Sequence, residues 1–324
     1  MKFKILTSIL AIVLIAGCAI PEIPGMGPSS IIGTGIGLEI ISFTADPTTV
    51  FSRGRARITV EVENKGGSTV DNNSALVFLT GSNINLAESP VTGKYWYGRD
   101  TDDKYEIQHF SRKMEPEDVV RGIPADIERF SWTLVAPNLT QGQTRDDTFI
   151  VRVYNEYSSG VNGNIWAYTD AEAQATEASG KAFKKSSFTA VPGPVAATVK
   201  LTPDPVILYE DETEFTFMVE ITNTQTGTIY KNNTIDYTTA NASKLSLDAE
   251  SALNWVFVDV VTDLIITDCV GDQEVFGGRS MTLVCEAKIP STHPLVTFRS
   301  YPVDIAVKYG YYTEREVAVK VQGK

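Results

Sequence analysis

One pattern constrains the fold more than any other: apolar and polar residues alternate at period two, and the chain does so twice in the same setting. Ile58, Val60 and Val62 alternate with Arg57, Thr59, Glu61 and Glu63, and Asn64-Lys65-Gly66-Gly67 breaks the run. Phe215, Phe217, Val219 and Ile221 alternate with Glu214, Thr216, Met218, Glu220 and Thr222, and Asn223 follows. Such a run puts one face of a strand in a core and the other in water. Strands of a parallel α/β sheet would be apolar on both faces, so that class is disfavoured.

The flanks repeat too. Asp46-Pro47 and Asp204-Pro205 precede the two runs, and Asn72-Asn73-Ser74 and Asn232-Asn233-Thr234 follow them, at an offset of 158 to 160 residues. The copies end on "FIVRVYNEYSSGVNGNIWAY" and "YPVDIAVKYGYYTEREVAVKV". Each predicts a tyrosine-rich strand, a short turn and a second strand. Divergent duplication is the simplest reading, with two globular domains because two copies are too few for a solenoid. Strands with polar turns at short intervals predict an all-β fold of antiparallel β-sandwiches. The boundary falls at Val191-Pro192-Gly193-Pro194, giving domains 38–191 and 192–324, the first with a polar insertion at about 95–128. One helix is expected after Thr169-Asp170-Ala171-Glu172, which has capping-box spacing, with Gly180 ending it.

The start of the chain reads as an address. Lys2 and Lys4 precede an apolar run at residues 5–16, too short for a settled membrane span, so a signal segment at 1–18 is expected. Small residues then lead to Cys18. This order resembles the lipobox of prokaryotic lipoproteins, in which the cysteine is lipidated and holds the protein on a membrane. The alternative is a plain signal peptide with an incidental cysteine. Residues 19–37 are rich in Pro, Gly and Ser and read as a tether. Yet Ile31-Ile32-Gly33-Thr34-Gly35-Ile36-Gly37 carries three isoleucines there. Cys269 and Cys285 lie 16 apart with Gly277-Gly278 near the midpoint, which fits a disulfide across a β-hairpin or two free buried cysteines on neighbouring strands. An oxidising compartment is implied by the former. Sequons for N-glycosylation stand at Asn72, Asn138, Asn232 and Asn241, and in a host that glycosylates asparagine they mark surface loops.

The segments "LEIISFTADPTTVFSRGRARITVEVENKGGSTV" and, more loosely, "TVKLTPDPVILYEDETEFTFMVEITNTQTGTIY" resemble the opening of Ig-like adhesion modules called CARDB domains. With the lipobox-like start, the whole resembles tandem Ig-like surface lipoproteins of prokaryotes, particularly archaea. The resemblance covers the first third of each copy and departs from the family at the 95–128 insertion. It implies Ig-like sandwiches and an adhesive or scaffolding role, and it brings no catalytic residues.

Little in the chain suggests reaction chemistry. The net charge of −12 disfavours nucleic acid as a partner. His109 and His293 are the two histidines, and neither sits near a nucleophile elbow or an acid partner. No phosphate loop, dinucleotide fingerprint or zinc motif is present, so no cofactor is expected. Asp100, Asp102, Asp103 and Glu106 could hold calcium weakly, although Arg99 and Lys104 balance part of their charge and a solvated loop is the simpler reading. Tyr95, Trp96 and Tyr97 could anchor a surface protein or glycan, or Trp96 could cap a core. The expected function is a non-enzymatic, membrane-anchored adhesion or scaffolding protein on the extracellular face. The alternatives are a filament or lattice subunit that self-associates by adding its 31–37 strand to a neighbour, and a solute-binding protein or enzyme with a deep pocket.

Overall fold

In the computed structural model the described residues are 37–86, 93–99, 106–209, 212–238, 245, 251–292 and 294–324. The signal segment with Cys18, residues 19–36, Asp100, Asp102, Asp103, Asn241 and His293 lie outside them. The first sequence copy supplies β1 (Leu38–Asp46), β2 (Thr49–Phe51), β3 (Arg55–Asn64), β4 (Ala75–Gly81), β5 (Tyr97–Gly98), β6 (Ile107–His109), β7 (Ile127–Val135), β8 (Thr144–Thr169), α1 (Asp170–Ala178) and β9 (Ser187–Val191). The second supplies β10 (Val195–Lys200), β11 (Val206–Leu208), β12 (Glu214–Asn223), β13 (Thr228–Tyr230), β14 (Trp255–Thr262), β15 (Ile265–Thr267), β16 (Gly271–Glu274), β17 (Ser280–Lys288) and β18 (Phe298–Gln322).

These strands build an all-β sandwich architecture. Two four-stranded sheets, β1-β3-β7-β5 and β10-β12-β17-β15, pack against a large sheet whose path is β16-β14-β18-β8-β4-β6. The period-two runs face inward as read: Ile58, Val60 and Val62 of β3 and Phe217, Val219 and Ile221 of β12 are buried. Burying one such side chain is worth roughly 1.5–3 kcal/mol, which is what holds each small sheet to the large one. α1 also forms as expected: the Thr169 hydroxyl accepts the Glu172 N–H at 3.4 Å, and Gly180 follows the helix at φ +66°.

The copy ends differ from expectation. No turn interrupts β8 or β18. They pair antiparallel from Thr144–Gln322 to Tyr168–Phe298 with no register shift. The glycines that suggest a turn instead permit close packing. A Cβ on Gly160 would lie 1.9 Å from the Ile305 carbonyl oxygen, and one on Gly163 would lie 2.1 Å from that of Ser187.

The cores therefore do not divide at 191/192. One core joins Ile58, Trp96, Trp132 and Phe149, Val151 and Val153 of early β8 to Val319 and Val321 at the end of β18. The other joins Val219, Val256 and Tyr301, Ile305 and Val307 of early β18 to Val161, Ile165 and Ala167 of late β8. Each copy thus completes the core of the other. The 95–128 insertion is not wholly external, since Trp96, Phe110 and Met114 belong to the first core. Gly37, assigned to the tether by composition, is buried, and its carbonyl accepts the Lys65 N–H at 2.9 Å.

A third cluster covers the outer face of the large sheet. Leu76, Phe78 and Tyr154 pack there with Tyr230, Ile235, Tyr237 and Leu245. Burial pushes the Tyr154 phenol up to about 12 and those of Tyr230 and Tyr237 well above the ordinary tyrosine range.

Candidate binding loops

Two asparagines fix two loops in the same way. Asn64 ends β3, and its Nδ2 donates to the Ser68 carbonyl at 2.9 Å and the Met114 carbonyl at 2.7 Å, while its Oδ1 accepts the Gly66 N–H at 3.0 Å. Asn223 ends β12, and its Nδ2 donates to the Gly227 carbonyl at 3.0 Å and the Gly278 carbonyl at 3.1 Å, while its Oδ1 accepts the Gln225 N–H at 3.2 Å. Their backbone N–H groups donate to Asp126 and Arg279 at 3.1 and 2.7 Å. The loops entering β7 and β17 are thus equivalent, one long and one short. An aspartate could not replace either asparagine, because the amide donates and accepts at once.

The long loop presents apolar side chains on a braced turn. The backbones of Asp118 and Ile123 exchange hydrogen bonds of 2.9 and 3.0 Å. The Asp118 carboxylate accepts the Arg121 N–H at 3.0 Å and pairs with its guanidinium at 2.9 Å, and Gly122 takes φ +66°. At the loop base Asp126 accepts the Glu115 N–H at 2.9 Å and pairs with Arg112 at 3.1 Å. On this frame Val119 is 65% exposed, Val120 75% and Ile123 50%. In the short loop Gly278 and Arg279 donate to the Val275 and Phe276 carbonyls at 2.9 and 3.1 Å, and Phe276 is 86% exposed. An aromatic ring so placed is left uncovered among the described residues and has a large area to bury on a partner.

The residues singled out from sequence fall elsewhere. Trp96 is fully buried: it packs edge-on against Phe149, and its Nε1 donates to Asp147 at 2.8 Å. The reading of Trp96 as a cap on the core therefore describes its place, and it offers no surface to a ligand. Tyr95 and Tyr97 are half-buried beside it. Glu106 is half-buried, and its backbone carbonyl accepts the Leu79 N–H at 2.8 Å. Of the sequons, Asn138 is exposed with its Oδ1 accepting the Ser52 hydroxyl at 3.0 Å, and Asn72 and Asn232 are half-buried. Cys269 and Cys285 are bonded and buried. They do not bridge a simple hairpin, because the intervening β16 leaves the small sheet to pair with β14 in the large one. Val119, Val120, Ile123 and Phe276 belong to none of the motifs that the sequence singles out. Their signal was turn chemistry around apolar residues, in "EDVVRGIP" and "VFGGR".

A cleft of about 690 Å³ opens at the far end of the second core between Leu208, Ile265, Ile289, Pro294 and Leu295. A groove of about 330 Å³ adjoins it along Phe215, Thr216 and Ala287. Lys288, paired with Glu214 at 2.6 Å, stands between them. Among the described residues no three His, Cys, Asp or Glu side chains gather in a group that could hold a metal ion. No helix among them is long and apolar enough to cross a membrane.

No protein-family model and no curated protein matches the chain. Among solved structures, a Salmonella alpha-2-macroglobulin variant aligns over 89% of this chain and 16% of its own length, at 10% identity and a TM-score of 0.20. The Enterococcus faecalis MSCRAMM ACE, which binds its ligands by a collagen hug, aligns over 88% of this chain and 95% of its own length, at 10% identity and a TM-score of 0.16.

Proposed function

We propose that this chain is a non-catalytic adhesion or scaffolding protein of the cell envelope, built from two Ig-like sandwiches and held on the extracellular face by a lipid on Cys18. Its partner is a protein surface with apolar depressions, engaged by the equivalent loops that carry Val119, Val120 and Ile123 on one side and Phe276 on the other. The observation that carries this reading is the exposure of those side chains on turns whose backbones are already fixed. A fixed turn loses little conformational freedom when it docks. The lipobox-like order before Cys18 and the CARDB-like strand openings support the address and the fold.

The test uses cells that produce the protein. Wild type is compared with a V119S/V120S/F276S variant for cell aggregation and for retention on surfaces coated with the cells' own envelope. Retention is expected to fall about tenfold or more, the loss of roughly 1.4 kcal/mol typical of central apolar anchors. Surface amount and melting temperature should stay unchanged. Retention equal to wild type would overturn the assignment of the loops. A native mass that does not begin at Cys18 with acyl chains would overturn the anchor.

A further inference from the structure

The last part of β18 occupies a slot rather than an edge. From Thr313 to Gln322 it pairs with early β8 on one side, and Lys320, Val321 and Gln322 pair with β2 in parallel on the other. Val319 and Val321 fill the first core, and the Ser52 N–H donates to the Gln322 carbonyl at 2.7 Å. The slot belongs to the first sequence copy and the arm to the second. Late β8 does the converse, lying between β18 and the parallel β11 in the second core. Copies that complete each other by trading terminal strands have the geometry of a reciprocal strand exchange, here within one chain.

The link between arm and body leaves buried polar groups unsatisfied. Asn155 faces Tyr311 and Thr313 faces Val153, at the point where the first core gives way to the second. Among the described residues the Asn155 amide oxygen and the Thr313 hydroxyl are buried and have no hydrogen-bond partner, and the Asn155 amide nitrogen has the Tyr157 hydroxyl beside it. Opening the ladder here lets water satisfy them, so separation of the arm begins here at lower cost than elsewhere. Everything the slot recognises in the arm lies beyond this point: Glu314 pairs with Arg152 at 2.9 Å, and Arg315 donates to the Ile41 carbonyl at 3.2 Å. None of these contacts depends on the arm belonging to the same chain.

We infer that the arm from Thr313 to Gln322 is exchangeable between molecules, and that the partner it fits is a second copy of this chain, whose first core accepts it between β8 and β2. The inference is independent of the adhesive loops. An empty slot presents two unpaired strand edges and the space vacated by two valines, which an arm of this pattern refills.

The test traps the arm where it lies. Arg152 and Glu314 are register partners in the ladder beside the first core, and Asn162 and Asp304 are register partners in the ladder beside the second, with their side chains outside both cores. Two differently tagged full-length proteins carrying R152C/E314C are mixed in detergent, warmed below the melting temperature and oxidised. The same is done with N162C/D304C. With the first pair, covalent dimers bearing both tags are expected, and the fraction of chain found in them should rise about tenfold for a tenfold rise in protein concentration while dimers are scarce. With the second pair the bond should stay within one chain, because early β18 remains in its own second core. Intrachain bonds alone at 152 and 314 at every concentration would overturn the inference. So would mixed dimers in equal yield from both pairs, which would report general aggregation, or failure of either pair to bond at all.

Discussion

Tyr157 and Tyr309 are register partners in the long ladder, their rings stack with centroids 5.9 Å apart, and each hydroxyl accepts the N–H of the residue that opens a strand of its own copy. Leu38 donates to Tyr157 at 2.7 Å and Val195 to Tyr309 at 3.0 Å. Glycines permit the approach: a Cβ on Gly37 would lie 2.3 Å from the Tyr157 hydroxyl, and one on Gly193 would lie 2.9 Å from that of Tyr309. Phenylalanine at either position leaves a strand-opening N–H without its acceptor. Each of Y157F and Y309F is expected to cost about 1–3 kcal/mol in urea unfolding. The double variant should depart from additivity because the rings touch. Losses within error of zero would show that water replaces the phenol.

Alkaline pH should unfold the protein through its buried phenols. Burial pushes Tyr154 and Tyr311 up to about 12 and raises Tyr309 further. In the unfolded chain these groups ionise near 10. The folded state then holds more protons than the unfolded one above that pH, so their contribution is intact below about 10 and is lost as pH climbs toward about 12. Stability measured by denaturant at stepped pH should be flat on this account up to about 10 and fall beyond it. Tyrosinate absorbance should show a late group of residues ionising together with loss of near-ultraviolet circular dichroism. A gradual titration of all tyrosines near the ordinary value would contradict the burial.

Asp147 is a buried carboxylate held by three side chains. It accepts Trp96 Nε1 at 2.8 Å, Asn83 Nδ2 at 2.8 Å and Arg145 Nε at 3.0 Å. Removing it strands an indole N–H and a partly buried guanidinium. D147A is expected to destabilise by about 3–5 kcal/mol, while W96F should cost less because its ring keeps most of the apolar contact. Thermal unfolding of the two variants checks the order. The reverse order would mean that Trp96 acts by volume and that the carboxylate is incidental.

The Cys269–Cys285 bond closes a loop of 16 residues that runs through both kinds of sheet. Its removal in C269S/C285S is expected to cost about 3 kcal/mol, seen as a lower denaturant midpoint. Because both residues belong to the second core, amide exchange should quicken in β17 and β15 far more than in β3. Uniform quickening would show that the two cores unfold as one.

Much of this fold is legible in residues. The alternation in β3 and β12 fixes which side chains are inside, and Thr169 and Gly180 bracket the helix, because these are local signals whose meaning does not depend on distant partners. The long strands are not legible. Ser158, Gly160 and Gly163 carry turn chemistry, but whether a glycine bends the chain or admits a neighbour depends on what lies 1.9 or 2.1 Å from its missing Cβ, which is a tertiary matter. The loops divide in the same way. Trp96 stands out because tryptophan is conspicuous, yet Asp147, far along the chain, draws it inside. Val119, Val120 and Phe276 look like ordinary core residues until the turns around them are known.

The ladder between β8 and β18 also bears on how the chain would carry force. Two sandwiches joined by a peptide linker swivel about it, so a tug on one is felt by the other only when the linker is taut. Here Thr144 to Tyr168 runs beside Phe298 to Gln322 without interruption, a double rail of about 80 Å at the usual strand rise. Pulling the halves apart along it means sliding one rail over the other, which strains many hydrogen bonds at once instead of opening them one by one. Peeling them apart from one end instead breaks the bonds in turn. The protein should therefore resist a pull along the rail and yield to one across it, and the direction of the load would decide whether it holds or lets go.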